Sequence, residues 1–243
     1  TRFALVCGLG DVYKRQIVPA VLAVLILAFG AREVPRQEEE ARIPSLSLKG
    51  LSPRFRGFLL ILILFTLGNS SDAFLILRAQ ERGLSVLAVM GALLALNLVY
   101  TVVSGPAGVL SDRVGRRRVI VGGWLLYGVV YLGFALARAG WQVWVLYALY
   151  GVYYGLSEGV SRALVADIVR PQQRGTAYGL YNAVLGVAAF PASLIAGLLW
   201  LGWGPWTGLG PWAPFLFGAI LALLAAGLMA LWLPKLEATP AAD

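Results

Sequence analysis

Residues 104–123, SGPAGVLSDRVGRRRVIVGG, place five charges between two long apolar runs. Four of these charges are arginines, and the fifth is Asp112. Arginine-rich turns between apolar runs are typical of loops on the cytoplasmic side of a membrane. Orientation alone requires neither Asp112 nor the glycines Gly108 and Gly115, so we predict that this turn has a second role.

The composition of the whole chain predicts a membrane protein. Of its 243 residues, 59% are hydrophobic and 13% are charged, and the mean hydropathy is +0.78. A soluble domain has about 45–50% apolar and about 25% charged residues. The net charge of +8 therefore indicates anchoring at the cytoplasmic face rather than binding of nucleic acid.

The chain offers little material for an enzyme. It contains no histidine and one cysteine, Cys7, which excludes histidine-based catalysis, histidine-metal sites and an internal disulfide. There is no P-loop for ATP and no metal-spaced cluster of acidic residues. We therefore expect no enzymatic activity, no metal site and no cofactor.

Apolar runs divide the chain into membrane spans, because about 20 mostly apolar residues cross a bilayer as a helix. A bundle over 57–236 is predicted to hold six of them, at 57–78, 84–110, 119–138, 141–168, 174–202 and 212–233. Ser52 is predicted to cap the first helix, with Pro53 at its first position.

The segments outside this bundle are short. Residues 17–32 resemble the end of a truncated membrane helix, 33–56 are predicted to be a cytoplasmic linker, and 237–243 a cytoplasmic tail. Residues 11–16, DVYKRQ, resemble a translated sequencing adapter. We therefore expect residues 1–16 to be non-native; a short polar N-terminal tail is the alternative.

Lysine and arginine fall mainly on one side of the predicted bundle. Thirteen lie at residues 32–56, in two turns at 111–118 and 169–174, and at Lys235, against three in the alternate connections. Six tryptophans gather at the opposite side, as in an interfacial aromatic belt. Both native ends are therefore predicted to be cytoplasmic.

The charged turn resembles the signature loop of the major facilitator superfamily, which reads Gly-x-x-x-Asp-Arg/Lys-x-Gly-Arg-Arg/Lys. The chain matches every fixed position with Gly108, Asp112, Arg113, Gly115, Arg116 and Arg117. In that family the loop joins the second and third helices of each six-helix half. The resemblance implies an all-α polytopic bundle: the C-terminal half of a transporter, built as two inverted three-helix repeats and lacking its N-terminal half.

Each glycine of this loop has a predicted purpose. Gly108 would let two helix ends approach closely, and Gly115 would permit a tight turn. Asp112 lies at a helix end, where it can pair with an arginine. We expect such contacts to form a gate that closes the cytoplasmic side; a basic loop that only orients the chain is the alternative.

A second charged pair lies on the same predicted side. Asp167 and Arg174 are separated by six residues, a spacing similar to an acidic-x6-arginine element that some family members pair with the signature loop. A capping aspartate and an orienting arginine are the alternative.

Ionisable residues inside a bilayer are costly, so each one is a functional candidate. Glu158 lies nine residues from Asp167, about 14 Å along a helix, and Arg162 follows at a spacing that permits an ion pair. Three tyrosines on the same helical face predict a polar aromatic cavity wall: Tyr147, Tyr150 and Tyr154. A fixed Glu158–Arg162 pair is the alternative to a substrate or proton site.

The first span carries a second candidate, Asp72, with Asn69 three residues before it. On a continuous helix, Asp72 would lie about 21 Å along the span, toward the outer half. Asp72 is predicted to be either a substrate or proton site, or a polar residue at the outer rim of the bundle. Asn97 and Asn182 could complete the cavity lining or make interhelical hydrogen bonds.

These features predict a secondary transporter that works by alternating access, with proton-coupled efflux of a small molecule as the specific expectation. A non-transporting six-helix scaffold or a membrane enzyme is the alternative. Its expected partners are membrane lipid, the substrate, protons and the missing N-terminal half, and its expected location is the bacterial inner membrane.

Overall fold

The computed structural model describes residues 50–233 and helical residues at 19, 21–22 and 24–26. The latter fall within the predicted helix end 17–32. The adapter-like segment 1–16, residues 33–49 of the predicted linker and the tail 237–243 lie outside the described residues. All elements named below belong to one compact unit, Pro44–Asp243.

Seven α-helices build the described part of this unit, and short turns join most of them. In chain order they are α1 Pro53–Gly68, α2 Ala73–Glu81, α3 Val86–Val114, α4 Arg116–Leu136, α5 Gly140–Ile168, α6 Arg174–Leu201 and α7 Ala213–Leu231. A 3-10 turn, Pro171–Gln173, precedes α6. The predicted all-α polytopic bundle is confirmed.

Five of the six predicted spans are long and apolar enough to cross a membrane, with α1 and α2 together counting as one. The remaining predicted span, 141–168, forms α5, which has 29 residues. At 1.5 Å per residue this helix is long enough to cross a membrane. It is less apolar than the other five, with tyrosines in its first half and Ser157, Glu158, Ser161 and Arg162 in its second. A helix of this kind belongs in the polar interior of a bundle.

The two ends of the bundle differ in side chains. We call the end with the α3–α4 turn the signature end, and the opposite end, with the turns flanked by Trp141, Trp203 and Trp212, the tryptophan end. At the signature end, Ser52 accepts a hydrogen bond from the Phe55 amide and donates to the Ile168 carbonyl. The predicted Ser52 cap is confirmed, and it also satisfies the end of α5.

The first span is broken, which corrects the prediction of one continuous helix over 57–78. Helix α1 ends at Gly68 and α2 begins at Ala73. The intervening residues, Asn-Ser-Ser-Asp, have short polar side chains that compete with the backbone for hydrogen bonds. Here the Ser71 hydroxyl accepts from the Ala73 amide, and the Ser71 amide donates to Ser193 on α6.

Glycines set two close helix contacts. A Cβ on Gly68 would collide with Leu221 and with the backbone of Gly218 on α7. On α5, Cβ atoms at Gly151 and Gly155 would collide with α3, whereas one at Gly159 would meet no described atom within 4 Å. Of these three glycines, spaced four residues apart on α5, Gly151 and Gly155 therefore serve helix contact.

We expect Gly151→Ala to destabilise the bundle by about 1–3 kcal/mol, the usual cost of overpacking. The added methyl would lie 2.5 Å from the Leu96 carbonyl oxygen, and backbone atoms cannot rotate away. Melting temperature in detergent would measure the effect. Gly159→Ala is the matched control, with no loss expected because alanine favours helix; equal melting of the two variants would contradict the predicted contact.

Helices α3 and α6 are the least covered elements of the described bundle. Only 17% of the residues in the most apolar 18-residue stretch of each are buried, against 56% for α4. Exposed apolar side chains run along α3 at Met90, Leu94, Leu98 and Val102. Both helices thus present apolar surface that the described part of the chain does not bury.

Candidate functional site

A cavity of about 210 Å³ lies within the helical bundle. Helices α1, α4, α5 and α6 supply its wall. The side chains around it are Leu62, Phe65, Thr66, Asn69, Trp124, Tyr153, Tyr154, Ser157, Glu158, Ser161, Arg162, Tyr181 and Leu185. Aromatic rings and a few polar groups therefore surround a small space, which is the usual make-up of a small-molecule site.

Glu158 and Arg162 form the charged part of this wall. Arg162 Nη2 lies 3.0 Å from Glu158 Oε1, and the side chains are 57% and 38% exposed respectively. The hydroxyl of Tyr100 on α3 donates to Glu158 Oε2 at 2.9 Å. One oxygen of Glu158 thus faces a cation and the other a phenol, so both oxygens have partners.

Asp72 lies at the break between α1 and α2, beside the tyrosines of α5. Tyr150 donates to Asp72 Oδ1 at 3.3 Å, and Tyr154 donates to Asp72 Oδ2 at 3.4 Å. The Asn69 Oδ1 atom lies 3.3 Å from the Tyr127 hydroxyl and 3.5 Å from that of Tyr150. The broken helix therefore brings Asn69 and Asp72 into one network of phenols and carboxylate.

Asp72 differs from the other described carboxylates in its partners. In the range 50–233, Glu81, Asp112, Glu158 and Asp167 each form an ion pair with an arginine, whereas only phenols contact the Asp72 carboxylate. Protonating Asp72 would break no ion pair among these residues. Asp72 is therefore the one described carboxylate without an arginine partner.

The structure corrects the predicted cavity wall on α5. Tyr147 and Tyr150 are fully buried and do not line the cavity. They pack instead in an aromatic cluster with Tyr131 and Phe134. The neighbouring flank of α5, with Tyr153, Ser157 and Ser161, faces the cavity, and of the three predicted tyrosines only Tyr154 lines it.

Sequence reasoning missed Tyr153, Ser157 and Ser161, although their spacing carries a signal. They recur at four-residue steps on α5 and form a second polar stripe beside that of Tyr147, Tyr150 and Tyr154. Only the packing of α5 against α3, which uses Gly151 and Gly155, selects between the two stripes.

The two asparagines predicted to line a cavity do not face this one. The Asn97 side chain is exposed and donates to the Leu93 carbonyl of its own helix. Asn182 lies with Arg162 and Tyr178 at a separate surface recess.

At the signature end, Arg116 joins two carboxylates. Its Nη2 atom lies 2.6 Å from Asp112 Oδ1, and its Nε atom lies 3.2 Å from Asp167 Oδ2 on α5. Arg116 also donates to the Ser111 hydroxyl at 2.6 Å. One guanidinium thus ties the signature loop to α5.

The other residues of the signature loop, two glycines and two arginines, differ in what they contact. Gly115 has a φ of +95°, the left-handed region that glycine adopts without strain, and it separates α3 from α4 as predicted. A Cβ on Gly108 would meet no described atom within 4 Å, so the predicted close approach does not occur within the described bundle. Arg113 and Arg117 line a recess of about 590 Å³ with Asp112 and Asp167.

Arg174 does not join this cluster. Among the described residues Asp167 pairs with Arg116, and no ion pair links Asp167 to Arg174. The acidic-x6-arginine spacing therefore brings its aspartate, but not its arginine, to the signature loop.

Comparison with known proteins supplies the family. Residues 57–243 match the sequence profile described as the Major Facilitator Superfamily. An uncharacterized MFS-type transporter of Methanocaldococcus jannaschii is 35% identical over 225 residues, which cover 89% of this chain and 54% of that protein.

Two further relatives are named for resistance. The tetracycline resistance protein, class C, of Escherichia coli is 31% identical over 56% of this chain and 33% of its own length. The multidrug resistance protein MdtH of Cronobacter sakazakii is 34% identical over 38% of this chain and 23% of its own length. The chain spans about half the length of the archaeal relative.

Proposed function

The chain belongs to the major facilitator superfamily, and on that premise we propose that it is the C-terminal half of a secondary transporter. The multi-pass helical bundle would rock against an N-terminal half around a site at mid-membrane. Two observations support this arrangement. The chain spans 54% of its archaeal relative, and α3 and α6 present apolar faces on which a second bundle can pack.

The substrate is proposed to be a small organic molecule that is exported. The cavity supports this through its size, about 210 Å³ in this half alone, and its aromatic lining. Two relatives are named as resistance proteins against tetracycline and against several drugs, which favours export over uptake.

Asp72 is proposed to carry the coupling proton. The observation that supports it is that Asp72 is the one described carboxylate without an arginine partner, since Tyr150 and Tyr154 alone contact its oxygens. A carrier must be able to lose and regain its charge within the cycle. Glu158 is proposed to serve instead as a fixed pair with Arg162 at the cavity wall.

Arg116 is proposed to hold the signature end closed. Its bridge between Asp112 and Asp167 joins the α3–α4 turn to α5, so movement of α5 away from this turn would break it. Lysine and arginine counts support a cytoplasmic location for this end, and we propose the inner membrane of a bacterium as the site of action.

Reconstituted full-length protein should move a solute when a pH gradient is imposed, and we expect Asp112→Asn to lower that flux about two- to five-fold. Exposed ion pairs contribute roughly 0.2–1 kcal/mol, and the Asp112 side chain is 61% exposed. Adding Asp167→Asn should lower the flux further, because Arg116 then has neither carboxylate.

The control is Arg170→Gln, which removes an exposed charge at the same end outside the Arg116 bridge. Expression should remain intact in all variants, and thiol labels at the signature end should react faster in the double variant. Unchanged flux and labelling in that double variant would reduce the loop to an orientation signal. No gradient-driven flux of any solute in the unmodified protein would contradict the transporter proposal itself.

A further inference from the structure

The tryptophan end carries a recess of about 540 Å³ that collects its arginines. Arg78 and Arg82 come from the end of α2, and Arg138 from the α4–α5 turn. They are the three basic residues that the sequence places in connections on this side, where arginine is otherwise scarce. Trp212, at the start of α7, completes the rim.

One carboxylate faces these three arginines. Arg78 lies 2.6 Å from Glu81 Oε2, and Arg82 lies 3.1 Å from Glu81 Oε1. Arg78 also donates to the carbonyls of Phe134 and Ala135. Its donors are therefore occupied by contacts within the fold. The recess therefore has a formal excess of two positive charges.

Donors remain on the other two arginines. The Arg82 side chain is 26% exposed, and among the described residues its guanidinium bonds only Glu81, through Nη2. The Arg138 guanidinium makes no hydrogen bond or ion pair with any residue in the described range, and the residue is exposed. Unpaired guanidinium donors at a rim bind oxyanions such as carboxylate and phosphate.

An apolar groove continues from this recess along α4 and α5. It has a volume of about 300 Å³ and includes Gly133, Trp141 and Val145. The groove and the recess share Leu136, Ala137 and Gln142. Leu136 and Trp141 are 67% and 69% exposed, so the groove is open along its length.

We propose that this combined surface binds one anionic phospholipid of the adjacent membrane leaflet. Arg82 and Arg138 would hold the phosphodiester, and an acyl chain would lie in the groove between α4 and α5. A soluble anion would use the recess but not the groove, whereas a lipid satisfies both. Basic recesses beside membrane helices attract anionic headgroups in this way, and tryptophan favours the same depth.

Native mass spectrometry of the full-length protein in detergent tests this proposal, with phosphatidylglycerol as the probe and phosphatidylcholine of the same acyl chains as the comparison. We expect one phosphatidylglycerol to bind about tenfold more tightly than phosphatidylcholine. Arg82→Gln with Arg138→Gln should remove this preference, since each arginine near a headgroup contributes to anionic selectivity. Arg56→Gln with Arg170→Gln, the same charge change at the signature end, should retain it.

Two further measurements distinguish a misfolded variant from a lost lipid site, and a bound lipid from a bound soluble anion. Arg138→Gln alone removes a guanidinium that makes no hydrogen bond or ion pair with a described residue, so it should fold normally and still lose several-fold in affinity for phosphatidylglycerol. Glycerophosphoglycerol, the headgroup without chains, should not displace the lipid at equal concentration. Retained preference in the folded arginine variants, or displacement by the soluble headgroup, would overturn the lipid proposal while leaving the transporter proposal untouched.

Discussion

Asp72→Asn is expected to abolish proton-driven transport in the full-length protein, with a loss of coupled flux of about tenfold or more. Asparagine has nearly the shape of aspartate, and its Oδ1 atom can still accept a hydrogen bond from Tyr150 or Tyr154. It cannot gain or lose a proton near neutral pH. Binding and exchange of substrate without a gradient should therefore persist, while accumulation against a gradient should stop.

Glu158→Gln is the matched control, because it makes the same chemical change at the other carboxylate of this region. Glu158 is paired with Arg162 and with the Tyr100 hydroxyl, and its side chain is partly exposed. Neutralising it should cost little stability and leave coupling in place. Flux in liposomes with and without an imposed pH gradient measures both variants, and the reverse outcome would transfer the coupling role to Glu158.

The contrast between these two carboxylates was not visible in the sequence. Spacing alone placed Arg162 one turn after Glu158 and so predicted that pair correctly, because i and i+4 residues on a helix are neighbours. The partners of Asp72 lie about 80 residues away on α5. A continuous helix would have given Asp72 a different environment, and only the break at 69–72 aligns it with Tyr150 and Tyr154.

Short sequence motifs were sufficient to predict the Gly115 turn and the Ser52 cap. The left-handed backbone of Gly115 and the helix cap formed by Ser52 each depend only on neighbours within a few residues. The Arg116 bridge depends instead on how the end of α5 lies against α4. Sequence spacing therefore predicted that Asp112 and Asp167 lie at the same end of the bundle. That Arg116, and not Arg174, pairs with Asp167 is a result of tertiary packing.

Arg78→Met is expected to prevent stable folding or to lower stability by about 3–9 kcal/mol, since three carbonyls would lose their donor. The Arg78 side chain is 2% exposed, and its guanidinium donates to the carbonyls of Phe134, Ala135 and Ala137. The last carbonyls of a helix have no partner within that helix. Methionine would fill the space but leave these carbonyls buried without a donor, at roughly 1–3 kcal/mol for each unsatisfied group.

The control is Arg82→Met, four residues later on the same stretch of chain. Arg82 makes one contact with Glu81 at a side-chain exposure of 26%, so its loss should cost no more than about 1 kcal/mol. Arg78→Lys should fall between the two, since one ammonium group cannot reproduce the forked geometry that reaches three carbonyls. Melting temperature and monodisperse yield in detergent would rank the three variants. Equal stability of Arg78→Met and Arg82→Met would mean that other groups satisfy the end of α4, and that Arg78 belongs functionally with the rim of the basic recess.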